Sequence, residues 1–187
     1  MVCAALVPVM ASGQLAKESA PKANRGDVPR WDIFAGYGYT SLNQVNQSRY
    51  GLQGVNVSVT RFFGRNFGVI ADGGFYSSSV GSGNPGDPSV NSIMAGPVLQ
   101  GRLLERLNLQ VRGFLGGEHT GGENMTPDVS FAGGVGVGMD YQLNKRLWLR
   151  LSGDNISSSF VSDPNHQGYS PHRHSNARAS LGLAYKF

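Results

Sequence analysis

Three observations predict an all-β chain wound into a closed, eight-stranded, antiparallel up-and-down β-barrel. Eight stretches between Trp31 and Phe187 alternate apolar and polar residues, the connections between them switch strictly between short and long, and the short turns recur every 40 residues. A period of 2 sends successive side chains to opposite faces of a strand, and an internal hairpin repeat produces the alternating connections. Composition leaves few other folds. The 187 residues include 27 glycines and 9 prolines, with 40% hydrophobic and 15% charged residues, which excludes a collagen, a coiled coil or a disordered tail.

The alternation predicts the first strand over 31–42, with Ile33, Ala35, Tyr37 and Tyr39 on one face and Asp32 on the other. A long connection, 43–53, leads to a second strand over 54–63, whose Val55, Val57, Val59 and Phe63 are odd-numbered and whose Asn56, Ser58 and Thr60 are even. Arg61 is the one odd-numbered strand charge; near an interface its stem snorkels at a cost of about 0–1 kcal/mol. The short turn Gly64–Asn66 gives way to a third strand over 67–77, with Phe67, Val69 and Phe75 odd and Asp72 even.

Beyond a Gly/Ser/Pro-rich connection, 78–91, the fourth strand is expected over 92–103, with Ile93 and Leu99 odd and Gln100 and Arg102 even. Leu104–Arg106 turns the chain into a fifth strand, 107–118, where Leu109, Val111 and Leu115 oppose Gln110, Arg112 and Glu118. After the connection 119–129, a sixth strand over 130–143 carries Phe131, Val135, Val137, Met139 and Tyr141 against Asp140 and Gln142. The turn Asn144–Arg146 precedes a seventh strand, 147–157, with Leu147, Leu149 and Leu151 odd and Arg150 and Asp154 even. The connection 158–174 leads to the last strand, 175–187, with Leu181, Leu183, Tyr185 and Phe187 odd and Arg178 and Lys186 even.

Which face is inside separates a water-soluble barrel from a transmembrane one. The even face holds four arginines with interspersed acids, and the aromatics of the odd face gather toward strand ends. That is the pattern of a transmembrane barrel with its apolar face outward and its polar face inward, flanked by aromatic girdles. An open sheet in lipid leaves edge N–H and C=O groups unpaired at several kcal/mol each, so the eight strands are expected to close. No apolar run reaches 18 residues, which excludes a spanning helix and leaves spanning strands open.

Register follows from the short turns. If Leu143 faces Leu147, Asp140 sits opposite Arg150, and the same rule pairs Ser58 with Asp72 and Arg102 with Asn108. The interior of an eight-stranded barrel is about as wide as its own side chains. Asp72, Arg102, Arg112, Asp140, Arg150, Asp154 and Arg178 are therefore expected to form a packed interior polar network, with Gly134, Gly136 and Gly138 leaving room for Trp148 or an arginine.

Ahead of the barrel, residues 2–11 form an apolar stretch followed by Ala11, Ser12 and Gly13, so residues 1–13 are expected to be a signal peptide. No Lys or Arg precedes that run, which reads as a leader shortened at its front or a misassigned start. Residues 14–30 mix prolines and charges without periodicity and are expected to be a linker, leaving 31–187 as the barrel domain. Cys3 stands alone, so neither an intrachain disulfide nor a zinc site built on Cys pairs is expected.

The leader, the eight strands, the turn pattern and the final Leu-Ala-Tyr-Lys-Phe together resemble the small outer-membrane β-barrel family, which includes the OmpA membrane domain and OmpX. The resemblance covers 31–187. It implies residence in a Gram-negative outer membrane among lipid and lipopolysaccharide, termini and short turns toward the periplasm, and four long loops outside. It further implies that Tyr185 and Phe187 belong to the segment read by the barrel assembly machinery, and that the peptidoglycan-binding domain of OmpA has no counterpart here.

Chemistry is sparse. His166, His172 and His174 lie in or beside the last long connection without an enforced ligand spacing, so no metal or other cofactor is expected. His174-Ser175-Asn176 faintly resembles the His-x-Ser-Asn segment of the lipid A deacylases, but Arg173 occupies the place two before Ser175, and adjacent strand residues point to opposite faces. Gly133–Gly138 does not satisfy G-x-G-x-x-G and falls inside a strand. Arg25-Gly26-Asp27 falls in the linker, and the scattered basic residues, net charge +4, form no nucleic-acid patch. The expected role is a non-enzymatic barrel with a structural or surface-interaction function and an unidentified extracellular ligand. The alternatives are a narrow porin-like channel and, below it, a lipid A-modifying hydrolase.

Overall fold

A computed structural model describes residues 30–43, 49–78, 89–121, 128–158 and 174–187. The expected signal peptide, almost all of the linker, His166 and His172 lie outside these residues. Eight strands follow one another as β1 (Trp31–Asn43), β2 (Arg49–Phe62), β3 (Phe67–Ser77), β4 (Ser89–Leu104), β5 (Leu107–Gly121), β6 (Asp128–Gln142), β7 (Leu147–Ser158) and β8 (His174–Lys186). Each pairs antiparallel with its neighbours in sequence, and β1 pairs with β8 to close the barrel. At the seam Trp31 N–H donates to the Phe187 carbonyl at 2.9 Å, and Phe187 N–H returns the bond at 3.0 Å. No strand edge is left, which removes the cost of unpaired backbone groups in lipid.

The pairings that the turns predict are present: Ser58 with Asp72, Arg102 with Asn108, Asp140 with Arg150. The strands are longer than their hydrophobic runs, most visibly β2, which begins at Arg49 instead of 54, and β4, which begins at Ser89 instead of 92. Ladder hydrogen bonds carry polar segments into a strand once a neighbour offers a partner, so hydrophobic pattern alone truncates them. With 11 to 16 residues each, the strands exceed the ~9–11 that a tilted strand needs to cross the hydrocarbon, and their outer ends extend past it.

Burial follows residue parity around the barrel. Even-numbered Asp32, Asp140 and Arg150 are 0% exposed, while odd-numbered Ile93, Val135 and Phe131 are 65–75% exposed. An uninterrupted outward band of Val, Leu, Ile and Phe is what a water-soluble monomer avoids and a lipid-embedded surface requires. Aromatic residues frame it. Trp31, Phe63, Phe67, Tyr141, Tyr185 and Phe187 ring the short-turn end, and Tyr37, Tyr39, Phe75 and Phe131 lie toward the other. The Arg61 guanidinium sits 5.2 Å from the Trp31 ring and 5.7 Å from Phe63, so this outward charge rests against the girdle.

Val137 lies midway along β6, 54% exposed and opposite Gly153. Val137→Arg is expected to destabilise the barrel by about 2–4 kcal/mol in urea unfolding from lipid vesicles. A loss of a few tenths would show that this face does not meet acyl chains.

Candidate functional site: the interior charge network

The even face does not form one polar network. It forms two ion clusters interleaved with three apolar clusters, and the apolar ones are what parity counting of charges misses: Phe34, Trp148 and Ala184; Ile70, Met94, Phe114, Ala132 and Ile156; Leu52, Tyr76 and Val90. The signal was present in the sequence, because all of these residues carry even numbers in register with the buried charges.

The cluster nearer the short turns is centred on Arg150 of β7. Its Nε and Nη2 donate to Asp140 Oδ1 and Oδ2 at 2.6 and 2.9 Å, a bidentate pair, and Nη2 also donates to Asp32 of β1. Lys186 Nζ donates to Asp140 Oδ2 at 2.7 Å and lies 3.8 Å from Asp32, while Gln110 Nε2 adds a bond to Asp140 at 3.0 Å. Five strands, β1, β5, β6, β7 and β8, are tied together beside the seam where the first and last strands pair. Lys186 also stands 4.3 Å from the Trp148 ring, and Arg150 lies 5.3 Å from Phe34.

The second cluster runs along one row of paired residues, Arg112, Gly136, Asp154 and Arg178. Arg112 Nη2 donates to Asp154 Oδ1 at 2.6 Å, reaching over β6, and Arg178 Nε donates to Asp154 Oδ2 at 2.9 Å. Arg178 Nη1 crosses the interior to Asp72 of β3 at 2.7 Å, and Asn56 Nδ2 satisfies the other Asp72 oxygen at 3.1 Å. The guanidinium carbons of Arg112 and Arg178 lie 5.4 and 5.6 Å from the Phe114 ring, so one aromatic ring serves two cations.

Gly136 explains how Arg112 and Asp154 meet. A Cβ there would lie 1.8 Å from Asp154 Oδ1. The β6 glycine therefore makes room for an aspartate, not for Trp148 or an arginine as the sequence suggests; Trp148 packs with Phe34 and Ala184 instead.

Of the seven residues assigned inward from sequence, Asp72, Arg112, Asp140, Arg150, Asp154 and Arg178 fall in these clusters. Arg102 is the correction. It is exposed, and its Nη2 donates to the Glu105 carbonyl at 2.9 Å. A register shift between Arg102 and Leu104 marks the last pairing before the turn, and at that rim a long guanidinium keeps its hydration by leaving the interior. Asp32 and Lys186, which complete the lower cluster, were legible only as even-numbered charges on the first and last strands.

Tyr185 and Phe187 are both outward and exposed, their rings 5.8 Å apart. Ser175, on the outward face, donates its hydroxyl to Asn155 Oδ1 at 2.9 Å, an amide oxygen with no capacity to act as a general base. Among the described residues no group of three or more His, Cys, Asp or Glu side chains is placed to hold a metal ion.

The family model for the outer membrane protein beta-barrel domain matches residues 2–187. No curated protein matches the chain in sequence. Among solved structures, Neisserial surface protein A is similar at 15% identity and a TM-score of 0.62, over 84% of this chain and 97% of that one. Ail, the attachment invasion locus protein of Yersinia pestis, is similar at 18% identity and a TM-score of 0.58, over 85% and 99%. OprG of Pseudomonas aeruginosa gives 15% identity and a TM-score of 0.51, over 86% and 97%. At such identities these likenesses speak to the fold.

Proposed function

The chain belongs to the outer membrane protein beta-barrel family, and from that premise we propose that it is a rigid outer-membrane scaffold that presents its four long connections to the cell exterior for surface interaction. The observation that carries this reading is the interior. Each ion cluster joins two cations to two carboxylates, Arg150 and Lys186 with Asp32 and Asp140, and Arg112 and Arg178 with Asp72 and Asp154. Both clusters are charge-balanced, with buried Glu118 of β5 standing outside them, and a core filled by such paired side chains braces the wall and leaves little room for a permeating solute.

The outward display agrees with the chemistry of the loops. Sequences 43–53, 78–91, 119–129 and 158–174 are rich in Gly, Ser, Asn and Asp, and their charges are four acids (Asp87, Glu123, Asp128, Asp163) against Arg49 and Arg173. Such loops suit neutral or cationic surfaces better than a sulfated polyanion. Facing outward, they stand among lipopolysaccharide, and the aromatic pair Tyr185 and Phe187 offers the barrel assembly machinery its handle.

A second reading, a narrow channel, has one observation in its favour. Arg112 Nε and Nη1, Ser92 Oγ, Ser152 Oγ and Ser180 Oγ are buried without a protein partner among the described residues, and such atoms are the donors a hydrated path uses. Planar-bilayer recording separates the two. The scaffold reading expects no stable unitary current from purified barrel, and a reproducible step of defined size establishes the channel. We assign no hydrolase, since the Ser175 proton is directed to Asn155; unchanged lipid mass after incubation is the matching result.

A further inference from the structure

The short-turn end of the barrel is strongly basic. The β2–β3 end carries Arg61 and Arg65, the β4–β5 turn Arg102 and Arg106, and the β6–β7 turn Lys145 and Arg146, against a single acid, Glu105. The long connections at the opposite end hold more acids than bases. The barrel is thus polarised along its axis, with the positive charge at the end that carries the densest aromatic girdle.

Backbone hydrogen bonds hold the turns that carry Arg106, Lys145 and Arg146 on adjacent strands. Asn144 Oδ1 accepts the N–H groups of Arg146 at 2.9 Å and Leu147 at 2.8 Å, which fixes the β6–β7 turn. Gln142 N–H donates to the Arg106 carbonyl at 2.8 Å and so ties the β4–β5 turn to the end of β6, while Lys186 N–H donates to the Arg146 carbonyl at 2.8 Å. Arg146 Nη1 donates to the Tyr185 hydroxyl at 3.3 Å. Tyr185 and Tyr141 are outward and 42% and 47% exposed, the placement of tyrosines at headgroup depth.

We propose that Arg106, Lys145 and Arg146, with the Tyr185 hydroxyl, form a binding site for the headgroup of an anionic phospholipid in the leaflet at the short-turn end. The turns that carry the cations adjoin the outward tyrosines at the strand ends, which puts them where a phosphate diester would lie. A net-negative glycerol headgroup gains from all three, whereas ethanolamine brings an ammonium that they repel. Each surface cation contributes about a fivefold preference for an anionic lipid surface. Assigning that leaflet to the periplasmic side rests on the orientation proposed above; the site itself does not.

The test uses the whole barrel in nanodiscs of phosphatidylethanolamine with a minor share of phosphatidylglycerol, and native mass spectrometry of the lipids that remain bound. Phosphatidylglycerol is expected to be enriched about tenfold over its share of the bilayer. The triple variant R106Q/K145Q/R146Q, shown to be folded by its heat-shifted gel mobility, is expected to lose that enrichment, and R49Q at the other end to keep it. No enrichment in the parent, or enrichment that survives the triple variant, overturns the site. Displacement of the lipid by inorganic phosphate, or sedimentation with isolated cell-wall sacculi that the triple variant abolishes in place of lipid retention, overturns it as well. Orientation is read separately, by labelling K145C with a membrane-impermeant maleimide in intact cells, in a background where Cys3 is replaced by Ser. Labelling there reverses the leaflet without touching the lipid preference.

Discussion

Arg150→Met is expected to destabilise the barrel by about 3–5 kcal/mol, measured by urea unfolding in lipid vesicles, the scale on which breaking a buried ion pair acts. Arg150 is fully buried and holds both Asp32 and Asp140. Without it the two carboxylates keep only Lys186 as a cationic partner, leaving an uncompensated buried charge beside the seam between β1 and β8. Methionine keeps an unbranched apolar stem and loses the guanidinium that lies 5.3 Å from the Phe34 ring, so the loss reports the charged head group and not the stem. Arg102→Met is the control, because Arg102 is exposed and bonds only its own turn; its effect is expected within about 0.5 kcal/mol. Equal effects for the two variants would mean that the lower ion cluster does not hold the barrel together.

Gly136→Ala is the second large effect, and it arises from a single methyl group. The new Cβ would lie 1.8 Å from Asp154 Oδ1 and 2.8 Å from its Cγ. Asp154 is a short side chain pinned by Arg112 and Arg178, so it has no free end to swing aside. Either the strand shifts or the carboxylate leaves its arginines, and a loss of about 1–3 kcal/mol is expected from overpacking alone. One pairing position away, on the outward face, a Cβ on Gly153 would meet nothing within 4 Å. Gly153→Ala is expected to be neutral or to stabilise by about 0.4–1 kcal/mol through the unfolded chain. Thermal unfolding of the two alanine variants in the same detergent compares them directly. If both lose stability equally, the contact of Asp154 over Gly136 is not what the β6 glycine provides.

Much of the site was legible because parity survives every connection. Asp140 opposite Arg150 follows from counting outward from Leu143 and Leu147, and the ladder has that pair. Counting fails where the ladder changes register, as at Arg102, whose even number points inward while the irregularity before Leu104 and the nearness of water turn it out. Counting charges also hid the apolar layers: Phe34, Met94, Phe114 and Trp148 share the inward face with the arginines, although hydrophobicity would assign them to lipid. The β2 and β4 starts were obscured for a different reason, since in 49–53 (RYGLQ) and 89–91 (SVN) the apolar residues are even-numbered and the polar ones odd, so these residues enter the sheet through neighbouring backbone and not through the hydrophobic pattern.

By itself the amino-acid order determined the number of strands, their facing and the register across each tight hairpin, because period 2 is a property of one strand and a short turn fixes which residues of two strands meet. Closure decided the rest. Arg178 reaches Asp72 from β8 to β3, strands that are not neighbours, 106 positions apart in the chain. Which inward side chains touch across the interior depends on how far each strand is staggered and tilted relative to all the others. Those quantities are set only when the last strand bonds to the first, and no local periodicity encodes them.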